Sequence, residues 1–198
     1  GKATVGTNLS IVGTAPAWSA TMADSAAKSL TGAVTTVVGT GNRLLATHGI
    51  GANGGGTKTN EYTLVFDVKR PTGNLWRCFF QTTLANNNDG EYFTRGGGGV
   101  VNSIGRASPI GYSGTAVPEN TWQRLVISVD LGSSFKAYVN GVLFHTHTAP
   151  AVDNAEYSLD ISQILFFADN NSENNPLQVG ALAIFNGCLL YTSDAADE

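Results

Sequence analysis

Asn140-Gly141 separates two alternating runs, residues 135–139 and 142–148. The dipeptide supplies the two positive φ angles of a type I′ turn, whose twist matches that of the strands it joins, so the stretch reads as an antiparallel hairpin. A two-residue loop also fixes the register. Val139 is expected opposite Val142, Ala137 opposite Phe144 and Lys136 opposite His145, with Lys136, Tyr138, Leu143, His145 and His147 turned outward. The same period of two runs through residues 61–70, where Tyr62, Leu64, Phe66 and Val68 alternate with polar positions. After a Pro71-Thr72-Gly73-Asn74 turn, residues 75–84 alternate again. There Trp76, Cys78 and Phe80 are expected on the core face and Arg77, Phe79 and Gln81 on the other. Residues 122–130 read as a strand with Leu125, Ile127 and Val129 inward, and further strands are expected at 33–38, 43–46, 91–94, 162–168 and 178–185. Helical periodicity is confined to one turn's worth of Ala-rich chain at 25–30. About ten to twelve short strands without helices predict an all-β fold, a two-layer antiparallel β-sandwich.

The length of 198 residues suits one such domain. Only 13% of residues are charged, while 24 Gly, 21 Thr and 17 Asn give a turn-rich, β-type composition. A net charge of −4 without blocks of Lys or Arg argues against a nucleic-acid partner, and no apolar run is long enough to predict a membrane span. The glycine runs at 54–56 and 96–99 are expected as loops, and neither has the Lys-Ser/Thr or the following helix of a phosphate-binding loop. Residues 1–3 are expected to be a leader or cloning remnant, and the chain a mature, excised domain. The tail, Cys188-Leu189-Leu190-Tyr191-Thr192-Ser193-Asp194-Ala195-Ala196-Asp197-Glu198, looks like in-frame translation of a transposon adapter used in short-read sequencing. On that reading residues 188–198 are artefactual, the source is a metagenome, and the net charge without Asp194, Asp197 and Glu198 is −1. Cys78 is then the only natural thiol, which leaves no disulfide framework.

Several phrases in order carry a family likeness: His48-Gly49-Ile50-Gly51-Ala52-Asn53-Gly54-Gly55-Gly56, Asn60-Glu61-Tyr62-Thr63-Leu64 with Asp67-Val68, residues 86–93, and Gly111-Tyr112-Ser113-Gly114. Trp122-Gln123-Arg124-Leu125-Val126, Tyr138-Val139-Asn140-Gly141 and Leu165-Phe166-Phe167-Ala168-Asp169 continue it. Together they resemble the laminin-G-like/pentraxin-like branch of the concanavalin A-like lectin and glucanase superfamily, over roughly residues 4–187. The resemblance implies a concanavalin A-like jelly roll. It further implies a non-catalytic module of a bacterial protein, secreted or at the cell surface, with a polysaccharide or glycan as ligand and neighbouring domains of a larger parent protein as partners. A structural or adhesive module without a glycan ligand is the alternative. A polysaccharide-degrading enzyme is a third reading.

An enzyme of this type needs two carboxylates about 5–10 Å apart across the scissile bond. The glucanase pattern Glu-x-Asp-x-x-Glu is absent, as are the Arg/Glu and Gln-x-His strands of the lyases; residues 153–160 carry acidic groups at the wrong spacing. No Gly-x-Ser-x-Gly occurs, and Cys78 is expected in the core. Sugar binding asks only for aromatic faces and planar polar groups. Arg77, Phe79 and Gln81 on one sheet face, Tyr138 and His145 on a neighbouring one, and Asn88, Asp89, Arg95 and Tyr112 on adjoining loops are the candidates. His145 and His147 lack a visible third metal ligand. Calcium, which some members of the family bind, finds oxygen donors in Asp169, Asn170 and Glu173, with Asp24 to complete the set.

Overall fold

The computed structural model describes residues 10–13, 17–19, 33–35, 43–82, 91–167 and 175–189. Fourteen strands run through them: β1 (Ser10–Val12), β2 (Ala17–Ser19), β3 (Ala33–Thr35), β4 (Arg43–Ala46), β5 (Glu61–Lys69), β6 (Arg77–Gln81), β7 (Glu91–Thr94), β8 (Ser103–Arg106), β9 (Gly111–Ala116), β10 (Trp122–Asp130), β11 (Ser134–Val139), β12 (Val142–His147), β13 (Ile164–Phe166) and β14 (Gln178–Asn186). They form two seven-stranded sheets, ordered β1-β4-β13-β6-β7-β8-β9 and β12-β11-β10-β5-β14-β3-β2, and the strands pair antiparallel throughout. This is the expected two-layer sandwich. No helix among the described residues is long and apolar enough to cross a membrane.

The alternation in β5 and β10 explains their central place. Tyr62, Leu64, Phe66 and Val68 face inward beside Leu125, Ile127 and Val129, and the two strands pair over nine residues, from Trp122 opposite Lys69 to Asp130 opposite Glu61. The other sheet answers with aromatic rings. Phe66 meets Phe79, Phe166 and Phe167 at centroid distances of 6.1, 5.8 and 5.9 Å, the last two edge-on. Such large rings bury much apolar area between the layers.

Polar loops close one end. The Asp153 carboxylate accepts from the main-chain N–H groups of Thr57 and Lys58, from Thr57 Oγ1 and from Asn60 Nδ2. Asn60 Oδ1 in turn accepts from Asp153 N and Ser158 Oγ. Four donors, led by the Asn60 amide, hold the Asp153 carboxyl well below the usual carboxylate range. The segment that looked like a conspicuous glycine loop is therefore fastened as a structural clasp. Gly56 is required there by space, since a Cβ would lie 2.3 Å from Asp153 Oδ1.

After β14 the chain crosses the outer face of the second sheet. Thr63 Oγ1 donates to Gly187 O and accepts from Leu189 N, at 2.9 Å each. Ser128 Oγ donates to Leu189 O at 2.7 Å and lies 3.1 Å from Cys188 Sγ. The bonds at 187 and 189 use main-chain atoms, so they depend on the path of the chain and not on the side chains it carries.

Candidate functional site

Five of the expected ligand residues are not presented to solvent as alternation predicts. A β-bulge between Cys78 and Phe80 shifts the pairing of β6 with β7, so that Arg77 lies opposite Thr94 and Phe80 opposite Tyr92. One extra residue reverses the facing of every position beyond it. Phe79 joins Phe80 in the core, and Gln81 is fully buried. Arg77, 1% exposed, spends its donors on the carbonyls of Pro176 and Gly73, at 3.0 and 3.2 Å. Cys78 is buried, as expected, but lies outside the apolar core cluster.

In the hairpin the Asn140-Gly141 turn and the pairs Val139–Val142 and Tyr138–Leu143 form, and then a second bulge intervenes. Phe144 becomes the extra residue, half-buried against the core. His145 consequently faces Ala137 and His147 faces Phe135, so both histidines turn inward instead of outward. Tyr138 does lie on the outer face but is only 5% exposed, and burial together with nearby Cys188 pushes its phenol up. Asn88 and Asp89, and the expected calcium ligands Asp24, Asp169, Asn170 and Glu173, lie outside the described residues.

Two expected residues do come together. Arg95 follows β7, and its main chain extends the β7–β8 ladder by accepting from Asn102 N and donating to Ser103 O. Tyr112 sits in β9, not in a loop, opposite Gly105 of β8. The Arg95 guanidinium lies over the Tyr112 ring, 4.9 Å from its centroid, a cation–π arrangement that orients the cation. Its other neighbour is the loop backbone: a Cβ on Gly99 would lie 2.3 Å from Arg95 Nη1. Gly97, Gly98 and Gly99 have φ of 60°, 47° and 61°, three successive left-handed residues that glycine alone adopts at low cost. Gly97 N donates to Asn74 Oδ1 at 2.7 Å, and Gly96 packs against Trp76. The result is a rim in which a clamped arginine, a tyrosine ring and a bare glycine backbone adjoin.

Gly105 is what lets Tyr112 lie flat there. It has φ of 129°, and a Cβ would fall 2.1 Å from Gly111 O. Gly105→Ala is expected to cost roughly 2–4 kcal/mol of unfolding free energy through strain and broken β8–β9 pairing, and to weaken any ligand held at the rim. Urea unfolding reads the first effect.

Four described carboxylates besides Asp153 are engaged elsewhere. Asp67, fully buried, receives Arg124 Nε and Nη2 at 2.9 and 2.7 Å. Glu119 receives Arg70, whose hydrogen bond draws its carboxyl down. Glu156 pairs with Arg106 at 3.6 Å, and Asp160 is held low by Ser162. Among the described residues no cluster of His, Cys, Asp and Glu could hold a metal ion.

Comparison with known proteins places this geometry. No curated protein sequence matches the chain. Among solved structures it is similar to domain 4 of AbnA, a GH43 extracellular arabinanase from Geobacillus stearothermophilus in complex with arabinotriose, with a TM-score of 0.60 and 16% identity over 92% of this chain and 84% of that one. It is similar also to the binding domain of Paraclostridial Mosquitocidal Protein 1 (TM-score 0.59, 14% identity, 93% of this chain and 45% of that one). The botulinum neurotoxin serotype G binding domain gives a TM-score of 0.59 at 12% identity over 93% of this chain and 44% of that one. The chain thus spans under half the length of the two toxin chains, and at such identities the likeness is one of fold. The family model Laminin_G_3 matches residues 40–186, most of the described sandwich. The chain belongs to this family of the concanavalin A-like lectin/glucanases superfamily.

Proposed function

We propose that the chain is a non-catalytic carbohydrate-binding module of a secreted or cell-surface bacterial protein, and that its sugar-binding surface is the rim around Arg95 and Tyr112. The observation that carries this reading is the clamped guanidinium lying on an aromatic ring at the β7–β8 loop. Sugar recognition combines planar hydrogen-bond donors with ring faces, and this pair offers both on rigid supports. Support also comes from the bound arabinotriose of the arabinanase domain.

Affinity electrophoresis against soluble plant, algal and microbial polysaccharides tests it. At least one polymer is expected to retard the protein, and Tyr112→Ala is expected to weaken that interaction by about tenfold while the fold persists. Failure of every polymer to retard the wild-type protein would remove this reading. The alternative, a module that packs on a neighbouring domain, draws on Val142 and Leu143, which are 70% and 51% exposed beside the hairpin turn. That alternative predicts retention of an adjoining domain of the parent protein, lost in Leu143→Lys.

A further inference from the structure

Arg95 differs from the other arginines whose side chains are described. The terminal nitrogens of Arg70 meet Glu119 and Val117 O, Arg77 meets Gly73 O and Pro176 O, Arg106 meets Glu156, and Arg124 meets Asp67. The Arg95 guanidinium has no hydrogen bond or ion pair to any described residue; its Nε, like that of Arg70, is buried without a partner, but only in Arg95 do the terminal nitrogens lack one as well. Leaving a buried donor unsatisfied costs stability. Tyr112 lies beneath the guanidinium at 4.9 Å, and the left-handed glycine turn passes beside it at Gly99, where a Cβ would meet Nη1. A cation stacked on a ring, with unsatisfied donors and no carboxylate supplied by the described residues, is arranged for an anion from outside.

From this we infer that the ligand of the rim is an acidic glycan, whose carboxylate or sulfate oxygens take the in-plane donors of Arg95 while Tyr112 and the bare backbone at residues 97–99 accommodate the sugar ring. The inference rests on the carbohydrate-binding reading above and narrows it. Both anions present two or more oxygens to a guanidinium fork, which a lysine ammonium cannot match in geometry. Glycine is needed twice: for the backbone turn and for clearance beside Nη1.

The test uses the whole chain and four polymers: polygalacturonate for carboxylate, dextran sulfate for sulfate, and dextran and linear arabinan as neutral controls. Wild-type protein is expected to bind polygalacturonate or dextran sulfate more tightly than either neutral polymer. Arg95→Gln should weaken that binding by about tenfold or more and Arg95→Lys by about threefold or more, since Lys keeps the charge but not the fork. Binding should also weaken from low to high salt in the wild type and change little in Arg95→Gln. Thermal unfolding of both variants checks that they fold. If acidic polymers bind equally well to Arg95→Gln, or if a neutral polymer binds better than both acidic ones, the acidic-ligand inference is overturned while the carbohydrate-binding function stands. If no polymer binds the wild-type protein, the function falls with it.

Discussion

Arg77→Ala is expected to lower the unfolding free energy by about 3 kcal/mol and to leave the rim's affinity unchanged in the protein that remains folded. The side chain is almost completely enclosed, and its Nε and Nη1 donors satisfy Pro176 O and Gly73 O. Truncation removes the stem from the packing and two hydrogen bonds from a charged donor, each worth about 1.5–3 kcal/mol, although Gly73 O keeps the Leu75 N–H at 3.0 Å. One term runs the other way. Arg70 lies near enough that, after burial itself, it is the main cause lowering Arg77 below its ordinary pKa, so truncation also relieves a repulsion. Glu119 offsets that repulsion in the wild type, and the lost packing and hydrogen bonds dominate. Arg77→Met, which keeps the stem but not the charge, should lose less. Urea unfolding of the three proteins reads the order, and electrophoresis on the same samples reads the binding. An Arg77→Ala protein with unchanged stability and abolished binding would return Arg77 to the ligand surface.

The inward facing of Arg77 marks where alternation stops being informative. In β5 and β10 every apolar residue expected inward is inward, because the two strands are long, central and paired without interruption. β6 and β12 each contain a bulge, and past a bulge the parity rule returns the wrong face. A signal was present in the first: Phe79-Phe80 puts two large rings side by side, and a regular strand cannot send both to the core. The second is not marked by glycine, and Phe144, His145 and His147 fit either phase. β8 and β9 were not expected as strands, since Ser103-Ile104-Gly105-Arg106 and Gly111-Tyr112-Ser113-Gly114 have low strand propensity; pairing with β7 decides their conformation. Sequence marks Arg95 and Tyr112 by residue type and by an expected place on loops beside the sheet faces. Their juxtaposition depends on that glycine-rich edge, which sequence periodicity does not reveal.

Acid is expected to unfold the protein in a way that reports on a single buried imidazole. His147 closes the seam between β12 and the strand that carries Tyr112. Its Nδ1–H donates to Ile110 O at 3.2 Å, so the 2.9 Å contact with Tyr92 has the phenol O–H donating to Nε2. Phe135 and Tyr92 enclose the ring edge-on at 5.3 and 5.5 Å, and the His145 ring lies at 3.8 Å. Burial, followed by the neighbouring His145, pushes the His147 pKa down to about 3, against the pull of the Ile110 carbonyl. An unfolded histidine titrates near about 6.5. Between these values the unfolded chain binds a proton that the folded one refuses, so the stabilisation is fully present above pH ~6.5 and is lost progressively as pH falls toward ~3. At 1.36 kcal/mol per pH unit, the loss from this residue between neutral pH and pH ~4 is about 3 kcal/mol. His147→Gln should be less stable at neutral pH, because an amide cannot fill the ring's space, yet its stability should decline less steeply with acid by about that amount. Urea midpoints at pH ~7 and ~4 for both proteins make the comparison; parallel declines would show that the imidazole does not carry the acid sensitivity. Ile110 lies two residues before Tyr112, so any ligand held at the rim is expected to be released with unfolding in the same acid window, and to stay bound to lower pH in the variant once its lower neutral stability is taken into account.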